Sequence, residues 1–513
     1  MKNKTNQLKW GAILSYAQMA LGIIVNLAYT PIMIRILGKS EYGLYNTVAS
    51  TISLLSIMNL GFNSSYIRYY SKYKKEGKKQ DIFKLNGLFL IVFSIIGLIG
   101  LVCGIFLSFN LEFVFDDGLT QAEYQIAKVL MLFMTVNLAM SFPASLFTSI
   151  ISAHEKYVFL KLLGMLKTVM GPLVTLPLLL LGYRSIAMVV ITVSISTITD
   201  LIYFIYVVAV LKNRFIFRDF EKGIFKSLFV YTSFIAINLI VDQINWNVDK
   251  FLLGRFKGTP AVAVYSVGYA LYQYYSSFSS AISGVFAPRI HKIVNSTLEN
   301  LAEQKRQLTG LFIKIGRIQF LLLGLLSTGL IFFGKPFIYF WAGEGYDESY
   351  YTMLLLVLPS TIALIQNIGI EIQRAKNKHQ FRSIVYVIMA IINLVLSIFL
   401  CQKYGAIGSA IGTAISLILA NGLAMNIYYH KKCNVNILTF WKNILRMSLG
   451  LIIPSVAGVA IMCFINLYSI WNMLIFIPVY TALYCASMWF LGMNKYERGL
   501  VIKPIAKILK RVK

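Results

Sequence analysis

Charge is what this sequence has least of, and acid least of all. Only 13% of the 513 residues are Asp, Glu, Lys or Arg, with 20 acidic against 48 basic. That is about half the charged share of an average soluble domain. A chain that is 58% hydrophobic cannot keep most of its surface in water. Cysteines number five and histidines four. Cys103, Cys401, Cys433, Cys463 and Cys485 stand far apart, so neither a disulfide framework nor a zinc site is expected. No connection between apolar runs exceeds about 20 polar residues, which excludes an inserted ATPase or soluble glycosyltransferase domain. A cleavable leader is not expected either. Met1 to Lys9 is short and basic, and the apolar run after it is too long. In a soluble protein a net charge of +28 would suggest nucleic acid. Here the basic residues fall in short connections on one side, so no nucleic acid is expected.

What the chain does have is long apolar runs. A spanning helix needs about 20 mostly apolar residues. Fourteen segments meet that need: 10–34, 44–68, 85–109, 124–152, 157–181, 185–211, 227–253, 261–288, 308–333, 352–373, 383–402, 406–429, 443–466 and 472–492. The expected fold class is an all-α polytopic membrane protein. Lys and Arg crowd the even-numbered connections, such as Lys72 to Lys84, Lys212 to Lys226 and Arg374 to Arg382. Odd-numbered connections are poor in base, and two are acidic, at Glu112 to Glu123 and Glu344 to Glu348. By the positive-inside rule both termini are cytoplasmic, and a bacterial plasma membrane is the expected home. The basic stretch 495–513 is expected on the anionic inner leaflet, among membrane lipids.

The first twelve segments read as two copies of a six-helix unit. Gly38 matches Gly254 and Pro143 matches Pro359, each 216 apart. Tyr45 matches Tyr265 at 220, and Thr192 matches Thr413 at 221. An even number of helices per copy gives both the same orientation, with a pseudo-axis along the membrane normal. The expected domains are a lobe over 1–220, a second over 221–433, an extra helix pair over 434–494 and a cytoplasmic tail over 495–513. Two such lobes around a midplane cleft suit alternating access. Gly97, Gly100 and Gly104, and likewise Gly405, Gly408 and Gly412, put small residues on one helix face, as close packing requires.

Three stretches carry a family resemblance: Leu37-Gly38 with Tyr42-Gly-Leu-Tyr45, Asp249-Lys-Phe-Leu-Leu-Gly254 with Ala263-Val-Tyr-Ser266, and Gly405-Ala-Ile-Gly-Ser-Ala-Ile-Gly-Thr413. They resemble the polysaccharide-flippase branch of the MOP superfamily, whose other branches include lipid II flippases and MATE drug exporters. The resemblance covers most of residues 1–430. Fourteen segments fit the polysaccharide and lipid II branches better than MATE, which usually has twelve. It implies a transporter, not an enzyme, with undecaprenyl-pyrophosphate-linked oligosaccharide as cargo. A polysaccharide polymerase and other assembly proteins are the implied partners. Lipid II or a cationic drug is the alternative cargo, and a membrane-embedded glycan polymerase is the alternative class.

Charges deep in apolar segments are functional candidates. Asp242 sits near the middle of segment 7 and corresponds, at an offset of 216, to Asn26 of segment 1. A proton, Na⁺ or a sugar hydroxyl is its expected ligand, with a structural ion pair as the alternative. Asp200 in segment 6 is a second ion-coupling candidate. No other cofactor is expected. Arg68 and Arg289 stand at the inner ends of segments 2 and 8, where two guanidiniums could clamp a pyrophosphate or simply anchor topology. Arg35 at the outer end of segment 1 could receive that group later. Lys250 could line the cavity, although an ion pair with Asp249 explains both. Glu371 has a local partner in Arg374. Gly329 to Pro336 imitates a P-loop but has Pro where the metal-binding hydroxyl belongs.

Overall fold

The computed structural model describes every residue except Met1, Glu221, Lys222, Val285, Leu298, Glu299, Asn377, His379 and 503–513. His379, Lys222 and most of the basic tail thus lie outside the described residues. The described residues are helical almost throughout and include no strand. In chain order the helices are α1 (Lys2–Leu55), α2 (Phe62–Lys75), α3 (Lys79–Phe109), α4 (Leu111–Phe115), α5 (Gln121–Ala153), α6 (Tyr157–Leu180), α7 (Arg184–Ile205), α8 (Ile224–Phe256) and α9 (Thr259–Gly284). There follow α10 (Ala287–Ser296), α11 (Leu301–Ala342), α12 (Asp347–Leu364), α13 (Ile368–Ala375), α14 (Gln380–Leu417), α15 (Met425–Lys432), α16 (Ile437–Ser448), α17 (Ile452–Phe464) and α18 (Ile470–Ser487).

Among the described residues nine helices are long and apolar enough to cross a bilayer, or ten when α12 and α13, bent by 42°, count as one. Two of the nine, Trp10–Lys75 and Gln380–Lys432, run 66 and 53 residues. At 1.5 Å per residue these would reach about 100 and 80 Å, against a hydrocarbon core of about 30 Å. Each is broken by a non-helical glycine: Gly38 at φ 75° and Gly405 at φ 58°. The chain doubles back there. Tyr29 lies beside Tyr45, and the Tyr386 hydroxyl donates to Asn421 Oδ1 at 2.7 Å across 35 positions. Each is therefore two spans, which with the α12–α13 pair brings the apolar candidates among the described residues to twelve, and α8 and α9 are helices where the seventh and eighth apolar segments are expected.

The turns correct two readings. Gly254 lies inside α8, and the turn of the second hairpin is Gly258, at φ 78°. Gly38 therefore matches Gly258, and the offset at this hairpin is 220, as for Tyr45 and Tyr265. In that register Asp242 corresponds to Gly22 and Asn26 to Trp246. Gly405 is also a turn, not part of a packing face. Gly97, Gly100, Gly104 and Gly408 do pack: a Cβ on Gly97 would lie 2.6 Å from the Ala139 carbonyl oxygen, and one on Gly408 would lie 2.0 Å from that of Leu400.

The helices gather into two compact units, one of residues 1–266 with 394–409 and the other of 267–393 with 410–513. In the first unit α3 packs along α5, and α1 packs on α5, α6, α7 and α8. An aromatic core of Phe62, Tyr66, Phe89 and Phe93 fills the space where α2 meets α3. The connection after α7 is fastened to α3. The Ile216 N–H donates to the Phe83 carbonyl at 3.0 Å. Asn86 donates to the Arg214 carbonyl at 3.1 Å and accepts from Tyr66 at 2.6 Å. Gly87 makes this possible, since a Cβ there would lie 2.0 Å from the Ile216 carbonyl oxygen.

In the second unit α11 packs on α12, α16 and α18. Its Arg317 forms a buried ion pair with Glu497 at 2.6 Å, the two side chains 5% and 2% exposed. Arg317 also donates to the carbonyls of Gly492 and Asn443. Asn494 and Glu497 bond each other's backbone N–H, a reciprocal cap that starts the C-terminal helix.

Candidate functional site

The first unit is shut at the end that carries Gly38. There the second half of α1 meets the α8–α9 turn at backbone distance. A Cβ on Gly43 would lie 1.9 Å from the Thr259 carbonyl oxygen, and one on Gly118 would lie 2.1 Å from that of Gly254. A Cβ on Gly254 would in turn lie 2.6 Å from the Thr47 methyl. Only glycine admits such approaches. One carboxylate ties the contact together. Glu123 Oε1 accepts from the hydroxyls of Ser40 at 2.5 Å and Thr259 at 2.6 Å. Its Oε2 accepts from the N–H and hydroxyl of Thr120, both at 2.9 Å. Glu123 thus caps α5 and bridges three segments.

Away from that seal, polar groups stay exposed on apolar helices. Asn26 on α1 and Asp242 on α8 are both exposed, and the two helices pack on each other. Gln243 donates to Ser56 at 3.1 Å, where α1 gives way to a short 3₁₀ turn. Arg35, one turn before Gly38, and Arg68, midway along α2, are exposed as well. Polar and charged groups are costly in hydrocarbon, which makes these positions the candidates for function. Asp200 is half-buried on α7 with Lys167 of α6 as its charged neighbour. Arg289 belongs to the second unit. It is exposed on α10, a short helix separated from α9 and not the end of that span.

Asp249 differs from its neighbours. It is 1% exposed, and it accepts from the hydroxyls of Tyr265 and Ser409, both at 2.8 Å. Lys250 beside it is half-buried. A carboxylate caged by hydroxyls can take up a proton or a cation without leaving its pocket. Glu371 has the local partner expected, with Arg374 at 2.6 Å.

Sequence reasoning missed the polar interior of the second unit. The Tyr275 hydroxyl meets Thr361 at 2.7 Å, and Ser279 donates to the Leu364 carbonyl at 2.9 Å. Gln319 donates to Ser279 at 3.1 Å and Ser283 at 2.7 Å. Asn426 accepts from Gln366 at 2.9 Å and from the Trp441 indole at 3.0 Å. These side chains bond one another around the break between α12 and α13, and uncharged residues in apolar runs gave no signal of it. Outside the spans, His154 at the end of α5 meets the Tyr70 hydroxyl at 3.2 Å. Burial, then Lys74 and Lys156, hold its pKa below the ordinary histidine value.

This architecture has relatives. The chain is 21% identical over 439 residues to the "Putative O-antigen transporter" of Shigella flexneri, covering 82% of this chain and 97% of that protein. Its fold is similar to that of the lipid II flippase MurJ in an inward closed conformation, at TM-score 0.68 and 18% identity over 96% of this chain and 99% of the other. It is also similar to an inward-facing multidrug resistance MATE transporter of the MOP superfamily, at TM-score 0.62 and 14% identity over 84% and 99%. Residues 9–294, more than half of the chain, match the family model described as polysaccharide biosynthesis protein. The fold it shares with these transporters and the match over more than half its length agree, and the chain belongs to the polysaccharide biosynthesis protein family.

Proposed function

We propose that the protein flips polyprenyl-pyrophosphate-linked oligosaccharide repeat units from the inner to the outer leaflet of a bacterial plasma membrane by alternating access. One observation carries the mechanism. The first unit is closed at backbone distance at its Gly38 end, while Asn26, Arg68 and Asp242 remain exposed within spanning helices. In the orientation that the basic connections set, the closed end is the outer one, and the cargo enters from the cytoplasm. Sugar hydroxyls and pyrophosphate cannot cross hydrocarbon unaided. They travel along the polar path while the polyprenyl tail stays in lipid. Arg68 and Arg289 hold the pyrophosphate at entry, and Lys250 and Arg35 receive it toward the outer side. Asp242, with Asp200 in support, binds the coupling H⁺ or Na⁺.

The test is mass spectrometry of polyprenyl-linked oligosaccharides from a strain depleted of the protein. The reading requires one completed repeat unit to build up on the cytoplasmic leaflet, with loss of surface polymer. Normal lipid-linked pools with unaltered surface glycan would overturn it.

A further inference from the structure

From Thr259 to Gly284, α9 carries no charged residue, yet it holds five tyrosines, one glutamine and six serines. These divide between two faces. Tyr275 and Ser279 lock one face to α12 through the Thr361 hydroxyl and the Leu364 carbonyl. Tyr269, Gln273, Ser276 and Ser280 recur at i, i+4, i+7 and i+11, which places them on a second stripe. All four are partly or fully exposed. The Gln273 amide donates to the Tyr269 hydroxyl. The Tyr269 ring leans on Tyr272, centroids 5.9 Å apart. Tyr272 in turn neighbours Tyr386 of α14. The Tyr386 hydroxyl donates to Asn421 in the π-helical turn Ile418–Ala424, and the Arg382 guanidinium lies 4.6 Å from the Tyr386 ring.

The second unit therefore carries a surface of hydroxyls, amides and aromatic rings that is neutral along its length and ends at one arginine. Facing lipid, its polar groups would each be costly. A cationic cargo would call for carboxylates, which this surface lacks, and a lipid tail would call for an apolar wall. Hydroxyls and amides beside ring faces suit a ligand that is neutral, rich in hydroxyls and edged with C–H, namely a sugar. The fold does not demand the stripe. At the offset of 220, the first copy has Ala49, Ser53, Ser56 and Leu60 in these places, with neither ring nor amide.

We infer that Tyr269, Gln273, Ser276 and Ser280 form the glycan-recognition face of the protein, with Arg382 at its phosphate end, and that this face sets which saccharide is accepted. The inference rests on the lipid-linked cargo proposed above. The test uses the purified full-length protein in nanodiscs and two probes: bare undecaprenyl pyrophosphate, and the same carrier bearing the repeat-unit oligosaccharide extracted from cells. Tyr269→Leu and Gln273→Leu should each weaken binding of the glycosylated carrier at least tenfold and leave the bare carrier within twofold. Tyr269→Phe and Gln273→Asn, which keep the ring or the amide, guard against loss of folding, and each should cost less than its leucine counterpart. Equal loss for both probes would make the stripe structural and overturn the inference. Unchanged binding of both probes would overturn it too. If the wild-type protein binds neither carrier, the cargo assignment itself falls, and the inference falls with it.

Discussion

A single methyl group should unseat the closed end. In Gly43→Ala the new Cβ would lie 1.9 Å from the Thr259 carbonyl oxygen and 2.6 Å from its carbonyl carbon. Carbon and oxygen in ordinary contact stay about 3.2 Å apart, so the two backbones must part by about 1.3 Å. No rotamer relieves this, because both sides are main chain. Overpacking of this kind costs about 1–3 kcal/mol. The cost falls only on the state in which α1 touches the α8–α9 turn. The balance between that state and one open at the same end should therefore move by about 5- to 150-fold. The assay is the labelling of Asn26→Cys, in a background without the native cysteines, by a membrane-impermeant maleimide added outside cells. Gly43→Ala should raise the labelling rate at least fivefold. Gly171→Ala, where a Cβ meets nothing within 4 Å, should not. Equal rates for the two variants, with both folded and in the membrane, would refute the assignment of this contact as the outer seal.

Asp242→Asn should abolish flipping while leaving membrane level unchanged, and full activity by leaflet-resolved mass spectrometry would remove Asp242 from the mechanism. Charge removal at both Arg68 and Arg289 should weaken binding of undecaprenyl pyrophosphate at least tenfold, and unchanged affinity would leave them as topology anchors. Arg317→Met should cost about 3–5 kcal/mol by stranding Glu497, and adding Glu497→Met should restore most of it, as read from denaturant midpoints. His154 binds a proton more weakly in the fold than its ordinary value of ~6.5. Its contribution is therefore whole above that pH and is lost as pH falls below it. The thermal midpoint of the wild type should drop more steeply from pH 6.5 to 5 than that of His154→Gln.

Spans were legible because hydropathy is a local property: the apolar runs fell on helices, although 44–68, 352–373 and 443–466 each cross a break, and α12–α13 and α8–α9 fell where expected. The repeat was legible too, but not its register. Gly38 and Gly254 both precede a helical restart in sequence, and only backbone angles show that Gly258 makes the second turn while Gly254 admits Thr47. Glu371 and Arg374 were readable because their partnership spans a single helical turn. Arg317 was not, since its partner lies 180 positions away and apolar neighbours mask it in any window. The hydroxyl cage of Asp249 draws on Tyr265 and Ser409, residues that carry no charge signal and meet only in the fold. The same is true of the seal, where the informative residues are glycines and a capping glutamate.

The strand-like fastening of Ile216 and Arg214 onto α3 has a consequence for how the gene could be divided. Everything through Ile216 is held by its own half of the sequence, and α8 begins at Ile224, so a cut between the two falls outside the fastening. A chain nicked there would leave the first fragment with a tucked, hydrogen-bonded terminus and no dangling arm. The second would begin a step before its first helix. Two open reading frames split at this point should reassemble into a working protein, whereas a cut on the α3 side of Ile216 would release the clasp and expose the notch at Gly87.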